Sequence, residues 1–455
     1  MTNSFPVPTG FSSVDDYLKD LDLFYKTDLV QILASEIHIL RFFLEDPDLF
    51  EQTLPNDWAD FFDHADLDNA VNYLILGKHD SLTPPESLAK FVSSVHALSI
   101  DRTLPKNSVK KADILRSTAL SVGMSPKKLH ECQHASPAIA TVCNQTLSPH
   151  VIDLGSGKGY LSRTLAYEYN CAVVALENVG SRKEGAERLD DLFDRKGGKR
   201  EATGSLIHIE KNVDSGDLGD VVSKAHLSGE KIVLAGLHTC GNLAHHAIRS
   251  LVHTEEIHGV AVVGCCYNLM TEKAIDHDNV GYPMSQKLES LRIPLSTYAR
   301  MTACQAPTTW TKETREDFFT RHFYRALLQK IFKDRELLQN QDKLIIGSLR
   351  KQWYKSFPLY CQGACKRASS ESITKSSPFY ISEQVAQDYY NKYEHKRKRL
   401  CILWTLMAST VAPLTEALIH LDRYYYLVEH DAEAHVLVVF DHNISARNLM
   451  VVGIK

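Results

Sequence analysis

The chain has 455 residues, of which 44% are hydrophobic, so it can bury a large core and has the length of two or three domains. Its formal net charge of −5 excludes a global electrostatic drive toward nucleic acid or anionic membrane, and any such contact must come from a local patch. The opening residues Met1–Pro8 have neither the basic flank nor the apolar run of an export signal, so the ten cysteines are expected to be reduced, in an intracellular compartment that is cytoplasmic or nuclear.

From Phe11 to about Lys78, apolar residues such as Leu18, Leu21, Leu29, Ile32, Leu33, Ile37 and Leu40 recur at three and four positions, which predicts a helical N-terminal region over 1–128. Leu54–Trp58 reads as a loop entering a helix, with Asn56 or Asp57 as its cap. The segment Pro105–Lys111 is polar and basic. Ser125-Pro126 fits a helix start, with Lys127, Lys128, His130 and Glu131 in its first turns. Lying just before the stretch that follows, Lys128 is a candidate to close over a ligand.

That stretch is Val151–Leu161: an apolar run, Asp153, then Gly155, Gly157 and Gly159 at alternate positions before a helical pattern resumes. Glycine has no Cβ, so a ligand can lie against such a turn and take hydrogen bonds from its amides. Lys158 is followed by Gly159 instead of Ser or Thr, which excludes a phosphate-binding P-loop. The spacing Gly-x-Gly-x-Gly also departs from the dinucleotide fingerprint G-x-G-x-x-G. A carboxylate at the end of the first strand, Asp153, suits a ligand carrying positive charge, such as a sulfonium with an α-amino group. The next strand, Cys171–Glu177, ends in an acid that can accept both ribose hydroxyls of an adenosine. Strand, turn, helix and strand-end acid together resemble the Rossmann-like S-adenosylmethionine-dependent methyltransferases. The resemblance implies S-adenosylmethionine as cofactor, with Asp153, Gly155, Ser156, Gly157, Gly159 and Glu177 around it.

Further strands are expected at Leu206–Glu210, Lys231–His238 and Gly259–Gly264. In this fold the residues after the third strand flank the adenine, which makes Asp214 a candidate. Ligands of open parallel sheets sit at the carboxyl ends of the strands, so the polar clusters after the fourth and fifth strands place His238, Cys240, Tyr267 and Asn268 near the transferred methyl as catalytic candidates. His238 can be a base for an oxygen or ring-nitrogen acceptor, or a structural histidine. The segments Gly236–Leu243, Val263–Tyr267, Gly281–Ser285, Ala303–Gln305 and Met124–Lys128 resemble the methyltransferase-like protein 25 family. Enzymes that methylate the exocyclic amine of adenine carry an Asn- or Asp-Pro-Pro-aromatic loop after the fourth strand, where this chain has His-Thr-Cys-Gly. A more distant similarity is to tRNA 2′-O-methyltransferases with a Lys-His-Leu-Cys-Gly element. RNA, protein and small molecules are all candidate methyl acceptors, a non-catalytic cofactor-binding scaffold is a further reading, a nicotinamide oxidoreductase is disfavoured by the Gly-x-Gly-x-Gly spacing and a terminal hairpin, and the oligomeric state is left open.

Cys240, Cys265, Cys266 and Cys304 show no C-x₂-C spacing, so no metal is expected. After a cofactor-binding core over 129–270, the region 271–420 is read as a helical insertion and a core helix. Within it Phe319, Phe323, Leu327 and Ile331 repeat at four residues and predict one amphipathic helix, a natural substrate-selecting lid, and Ala368–Ser377 reads as a loop. The basic run His395–Arg399 can contact phosphates but reads more readily as a solvated helix start. The apolar run 400–421 has the length of a membrane anchor, yet Pro413, Thr415, Glu416 and His420 favour a core helix. Tyr424–Val428 and Val436–Phe440 are expected as a terminal hairpin over 421–455, completing a seven-stranded α/β sheet with an antiparallel strand.

Overall fold

The computed structural model describes residues 3–78, 81–105, 119–196, 204–213, 218–276, 280–338, 346–368 and 377–455. Asp214, all of the basic segment Pro105–Lys111 except Pro105, and most of the loop Ala368–Ser377 lie outside the described residues. The chain divides into two compact units, one built from 1–26, 97–304 and 413–455, the other from 27–96 and 305–412.

The first unit holds a seven-stranded sheet: β1 (His150–Leu154), β2 (Ala172–Glu177), β3 (Ser205–Glu210), β4 (Ile232–Thr239), β5 (Ile257–Gly264), β6 (Glu433–Val438) and β7 (Leu449–Ile454). The strand order is β3-β2-β1-β4-β5-β7-β6, with β1 to β5 parallel and β7 antiparallel to its neighbours β5 and β6. This is the Rossmann-like α/β architecture with an antiparallel terminal hairpin. The central strands are covered on both faces, which explains why Val151-Ile152-Asp153-Leu154 and Ile232–Leu237 are buried without alternation. The helices Pro126–Thr146, Tyr160–Glu168 and Leu243–His253 pack on them. Ser125 caps the first of these by accepting a hydrogen bond from the Lys128 amide at 3.2 Å, as the Ser-Pro pair predicts.

The terminal hairpin is displaced from its expected place. Tyr424–Val428 belongs to a 33-residue helix, Arg397–Glu429. Nothing in Leu421–Val428 interrupts a helix already propagating through the apolar run, so the strand preference of three tyrosines yields to the cooperativity of the longer element. The helix stops where Asp431 takes a left-handed φ of 57°. The expected second strand then overlaps β6, and the true last strand is Leu449–Ile454. Among the described residues, the run Glu383–Glu429 is the one stretch long and apolar enough to cross a membrane, and 89% of its most apolar window is buried inside the protein.

The second unit is helical. It gathers Asn56–His64, Leu67–Leu76, Lys312–Asp334, Phe357–Ala368 and Glu383–Tyr393, so part of the N-terminal region and the insertion, separate in the sequence reading, form one body. The helix Lys312–Asp334 buries Phe319, Phe323, Leu327 and Ile331, as their spacing predicts. Asn56 opens the helix Asn56–His64, and the residue before it, Pro55, stands at the cap without a side-chain hydrogen bond. The basic run is neutralised within this unit: Lys396 pairs with Asp48 at 2.8 Å, Arg397 with Glu316, and Arg399 with Glu51 and Asp63. These cations are already matched to carboxylates, which removes them as a ready phosphate site.

Candidate functional site

The glycine turn follows β1 directly. Gly155, Gly157 and Gly159 all adopt left-handed φ values of 68°, 59° and 66°, which an L side chain would strain. The Ser156 amide donates to the Leu176 carbonyl at 2.9 Å, tying the turn to the end of β2. There Glu177, almost wholly buried, accepts from the Gly157 amide at 2.9 Å and the Val179 amide at 3.1 Å, with Arg182 at 3.4 Å. A carboxylate offers about four acceptor positions, so Glu177 retains capacity for a further donor.

Turn and carboxylate line one cavity of about 470 Å³ at the carboxyl ends of the parallel strands. Its walls include Gly155 from the turn, Glu177 at the end of β2 and Arg182 beyond it, Asn212 after β3, His238 near the end of β4 and Cys240 just after it. β1 lies between β2 and β4, the point where the strand order reverses and where such folds bind ligands.

Asp153 sits beneath the turn. It is 1% exposed, accepts a hydrogen bond from Ser162 Oγ at 2.6 Å, and is pushed up to about 6 by burial. It supports the turn from below and is absent from the cavity wall. Ser156 Oγ is buried with no hydrogen-bond partner.

The register of β4 explains the placement of His238. Gly236 pairs with Val262 but Thr239 pairs with Gly264, so β4 carries one residue more than β5 over this interval. Such a bulge re-aims side chains at a strand end. His238 Nε2–H donates to Glu131 Oε2 at 3.1 Å, and Lys128 Nζ pairs with the same oxygen at 2.6 Å. Ser445 Oγ donates to Glu131 Oε1 at 2.8 Å. Burial alone would raise Glu131, but His238 and Lys128 overcome it and hold the carboxyl at about 2. Lys128 is therefore engaged by Glu131 and does not line the cavity. Glu131 is a functional candidate that sequence reasoning missed. Its signal was faint: an acid three residues after Lys128, with its histidine 107 positions away.

Tyr267 corrects another expectation. It is 1% exposed, and its hydroxyl donates to Glu416 at 2.6 Å, where Arg447 at 2.9 Å and Arg102 also converge. Burial and the nearby carboxylate push its phenol well above the usual range, so it is a structural donor and not a group at the cavity. Asn268 is exposed and accepts from Cys304 Sγ at 3.2 Å; it too is absent from the cavity wall. The catalytic candidates thus separate, with His238 and Cys240 on the cavity and Tyr267 and Asn268 away from it.

Cys240 has close company. Its Sγ lies 3.3 Å from Cys265 Sγ and 3.3 Å from Cys266 Sγ, which are 3.4 Å apart. Hydrogen bonding from Cys265, assisted by Cys266, pushes the Cys240 thiol down to about 6, while Cys265 and Cys266 are pushed up. No C-x₂-C spacing reveals this group, because the adjacency of β4 and β5 makes it.

Residues 127–273 match the methyltransferase domain family. A mouse protein named probable methyltransferase-like protein 25 is 29% identical over 297 residues, which is 62% of this chain and 47% of that protein. Its human counterpart is 31% identical over 235 residues, 50% of this chain and 37% of that protein. The chain thus matches less than half the length of these curated relatives. A crystal structure of coclaurine N-methyltransferase bound to N-methylheliamine and SAH aligns over 97% of both chains at 10% identity, with a TM-score of 0.23 that is too low for a shared overall shape. The chain carries a methyltransferase domain on a Rossmann-like sheet and is similar to the methyltransferase-like protein 25 proteins, as its strand-end motifs lead one to expect.

Proposed function

We propose that this chain transfers a methyl group from S-adenosylmethionine, held in the 470 Å³ cavity at the ends of β1, β2 and β4. The observation that carries the reading is the pairing of the left-handed glycine turn with Glu177 on one cavity wall. Three features fit the cofactor. A Cβ at Gly157 would meet no protein atom within 4 Å, so the space over the turn is open. Ser156 Oγ is a buried polar atom without a partner. Glu177 has acceptor capacity left for ribose hydroxyls. The bound cofactor supplies a methyl group already activated by a sulfonium, so the protein has mainly to orient an acceptor and exclude water.

His238 is the base in this reading. With its Nε2 proton given to the Glu131 hydrogen bond, the other ring nitrogen is an acceptor for the proton an oxygen or ring-nitrogen nucleophile must lose. Lys128 and Ser445 fix Glu131, and Glu131 fixes the tautomer. RNA is the acceptor class favoured by the sequence resemblance, protein is the second, and the setting is intracellular.

Thermal unfolding with S-adenosylmethionine, S-adenosylhomocysteine and NAD in parallel tests the cofactor. Ligand at a hundred times its dissociation constant stabilises a binding fold by about 2.7 kcal/mol. Both adenosyl ligands should raise the transition, NAD should not, and Glu177→Ala should lose the response. No shift in the wild-type chain would remove the cofactor assignment. Labelled-methyl transfer onto RNA and protein fractions then reads the acceptor, and tight binding without transfer to any fraction would identify a scaffold.

A further inference from the structure

The three thiols between β4 and β5 are held by backbone. The Gly241 amide donates to the Cys266 carbonyl at 3.2 Å, Gly241 has a left-handed φ of 56°, and a Cβ there would lie 2.7 Å from the Leu269 carbonyl oxygen. Only glycine lets the loop after β4 lie this close to the loop after β5. The result is a nearly equilateral triangle of sulfurs with 3.3–3.4 Å edges. All ten cysteines are free.

From this geometry we propose that Cys240, Cys265 and Cys266 bind one zinc ion through three thiolates, leaving its fourth position to a ligand from outside the chain. An ion at the usual zinc–sulfur distance of about 2.3 Å from each atom would stand roughly 1.3 Å above the sulfur plane, and relaxing to a regular tetrahedron requires each edge to open by about 0.4 Å. Thiolates select soft ions of this kind. Among the described residues no fourth His, Cys, Asp or Glu completes the group. Three protein ligands with an open position is the pattern of a reactive zinc site, in contrast to the closed four-ligand structural type.

The charge around the cluster fits. A zinc ion with three thiolates carries a net charge of −1. Arg423 is fully buried, and its Nε and Nη1 have no hydrogen-bond partner. Its Nη1 lies 2.5 Å from where a Cβ of Gly264 would be, against the residue that immediately precedes Cys265-Cys266. The neighbouring buried carboxylate Glu416 is already shared by Arg102 and Arg447. Asp422 and Glu416 already give Arg423 some counter-charge, and an anionic metal cluster beside Gly264 adds to it on the side where its Nε and Nη1 have no hydrogen-bond partner. Because Cys240 lines the cavity, the ion becomes part of its wall. Loading displaces the thiol protons still present to solvent, so binding strengthens with rising pH.

The test is the metal content of the full chain purified without a histidine tag, reconstituted with zinc under reducing conditions and dialysed. About one zinc per chain is expected, falling at least tenfold in Cys240→Ser and Cys265→Ser and persisting in Cys304→Ser. Cobalt should replace zinc and give thiolate-to-metal charge-transfer absorption, which the two serine variants lose while keeping the wild-type circular dichroism spectrum. A metal-free wild-type chain, equal zinc in the Cys240→Ser variant, or a disulfide joining two of the three sulfurs that persists through reconstitution would each overturn the proposal. It stands apart from the methyl-donor reading: a chain that loads zinc yet ignores S-adenosylmethionine satisfies the one and fails the other.

Discussion

Replacing Glu131 by Gln removes the charge that His238 and Lys128 face while leaving an acceptor of nearly the same shape. The carboxyl is fully buried and is held at about 2 against an ordinary value of 4.5. At about 1.36 kcal/mol per unit this is roughly 3 kcal/mol of preference for the ionised form. His238 is a third exposed and Lys128 a quarter exposed, so solvent screens part of it and about 2 kcal/mol is the expectation. The folded carboxyl is the stronger acid, so this stability is complete above pH 4.5 and is lost as pH falls through 2. Urea unfolding of wild-type and Glu131→Gln protein from pH 7 to pH 2 reads the difference directly. The variant should be less stable by about 2 kcal/mol at pH 7, with the gap shrinking below pH 4.5 and nearly closed at pH 2. A gap under about 0.5 kcal/mol at neutral pH, or one independent of pH, would refute the ion-pair account of how His238 is oriented.

Asp153 has the opposite sign. Burial lifts it from 3.8 to about 6, so the wild-type chain loses stability as pH rises through that window, and Asp153→Asn should be more stable at pH 7.5 by about 3 kcal/mol with no difference below pH 4. Glu416→Ala strips one acceptor from Tyr267, Arg102 and Arg447 at once and should cost about 3–5 kcal/mol in urea unfolding, while a cost below about 1 kcal/mol would contradict a buried ion cluster. Gly157→Ala places a methyl group in the open space over the turn, where no protein atom lies within 4 Å and where the proposed cofactor would lie. It should cost only the 1–2 kcal/mol of a left-handed alanine and weaken S-adenosylhomocysteine binding at least tenfold by calorimetry.

What the sequence disclosed and what it hid divide along one physical line. The glycine turn, Glu177 at the end of β2 and the buried runs of β1, β4 and β5 are written in short contiguous stretches, where backbone sterics and continuous burial decide the structure locally. Where a long element overrides a local preference the reading slips: Tyr424–Val428 has strand-forming side chains, yet the helix from Arg397 continues through it. The groups around the cavity that sequence reasoning missed are products of strand adjacency. Glu131 meets His238 only because the helix Pro126–Thr146 packs against the end of β4, and a one-residue bulge opposite β5 determines which side chain arrives there. The three sulfurs come together for the same reason, since Cys240 and the pair Cys265-Cys266 end neighbouring parallel strands that are separated by a helix in the chain. Cofactor contacts in such a sheet follow the loops immediately after β1 and β2 and can be read from a motif. Groups poised on the acceptor side arise from β4 meeting β5, so their chemistry becomes visible only once the two strands lie side by side.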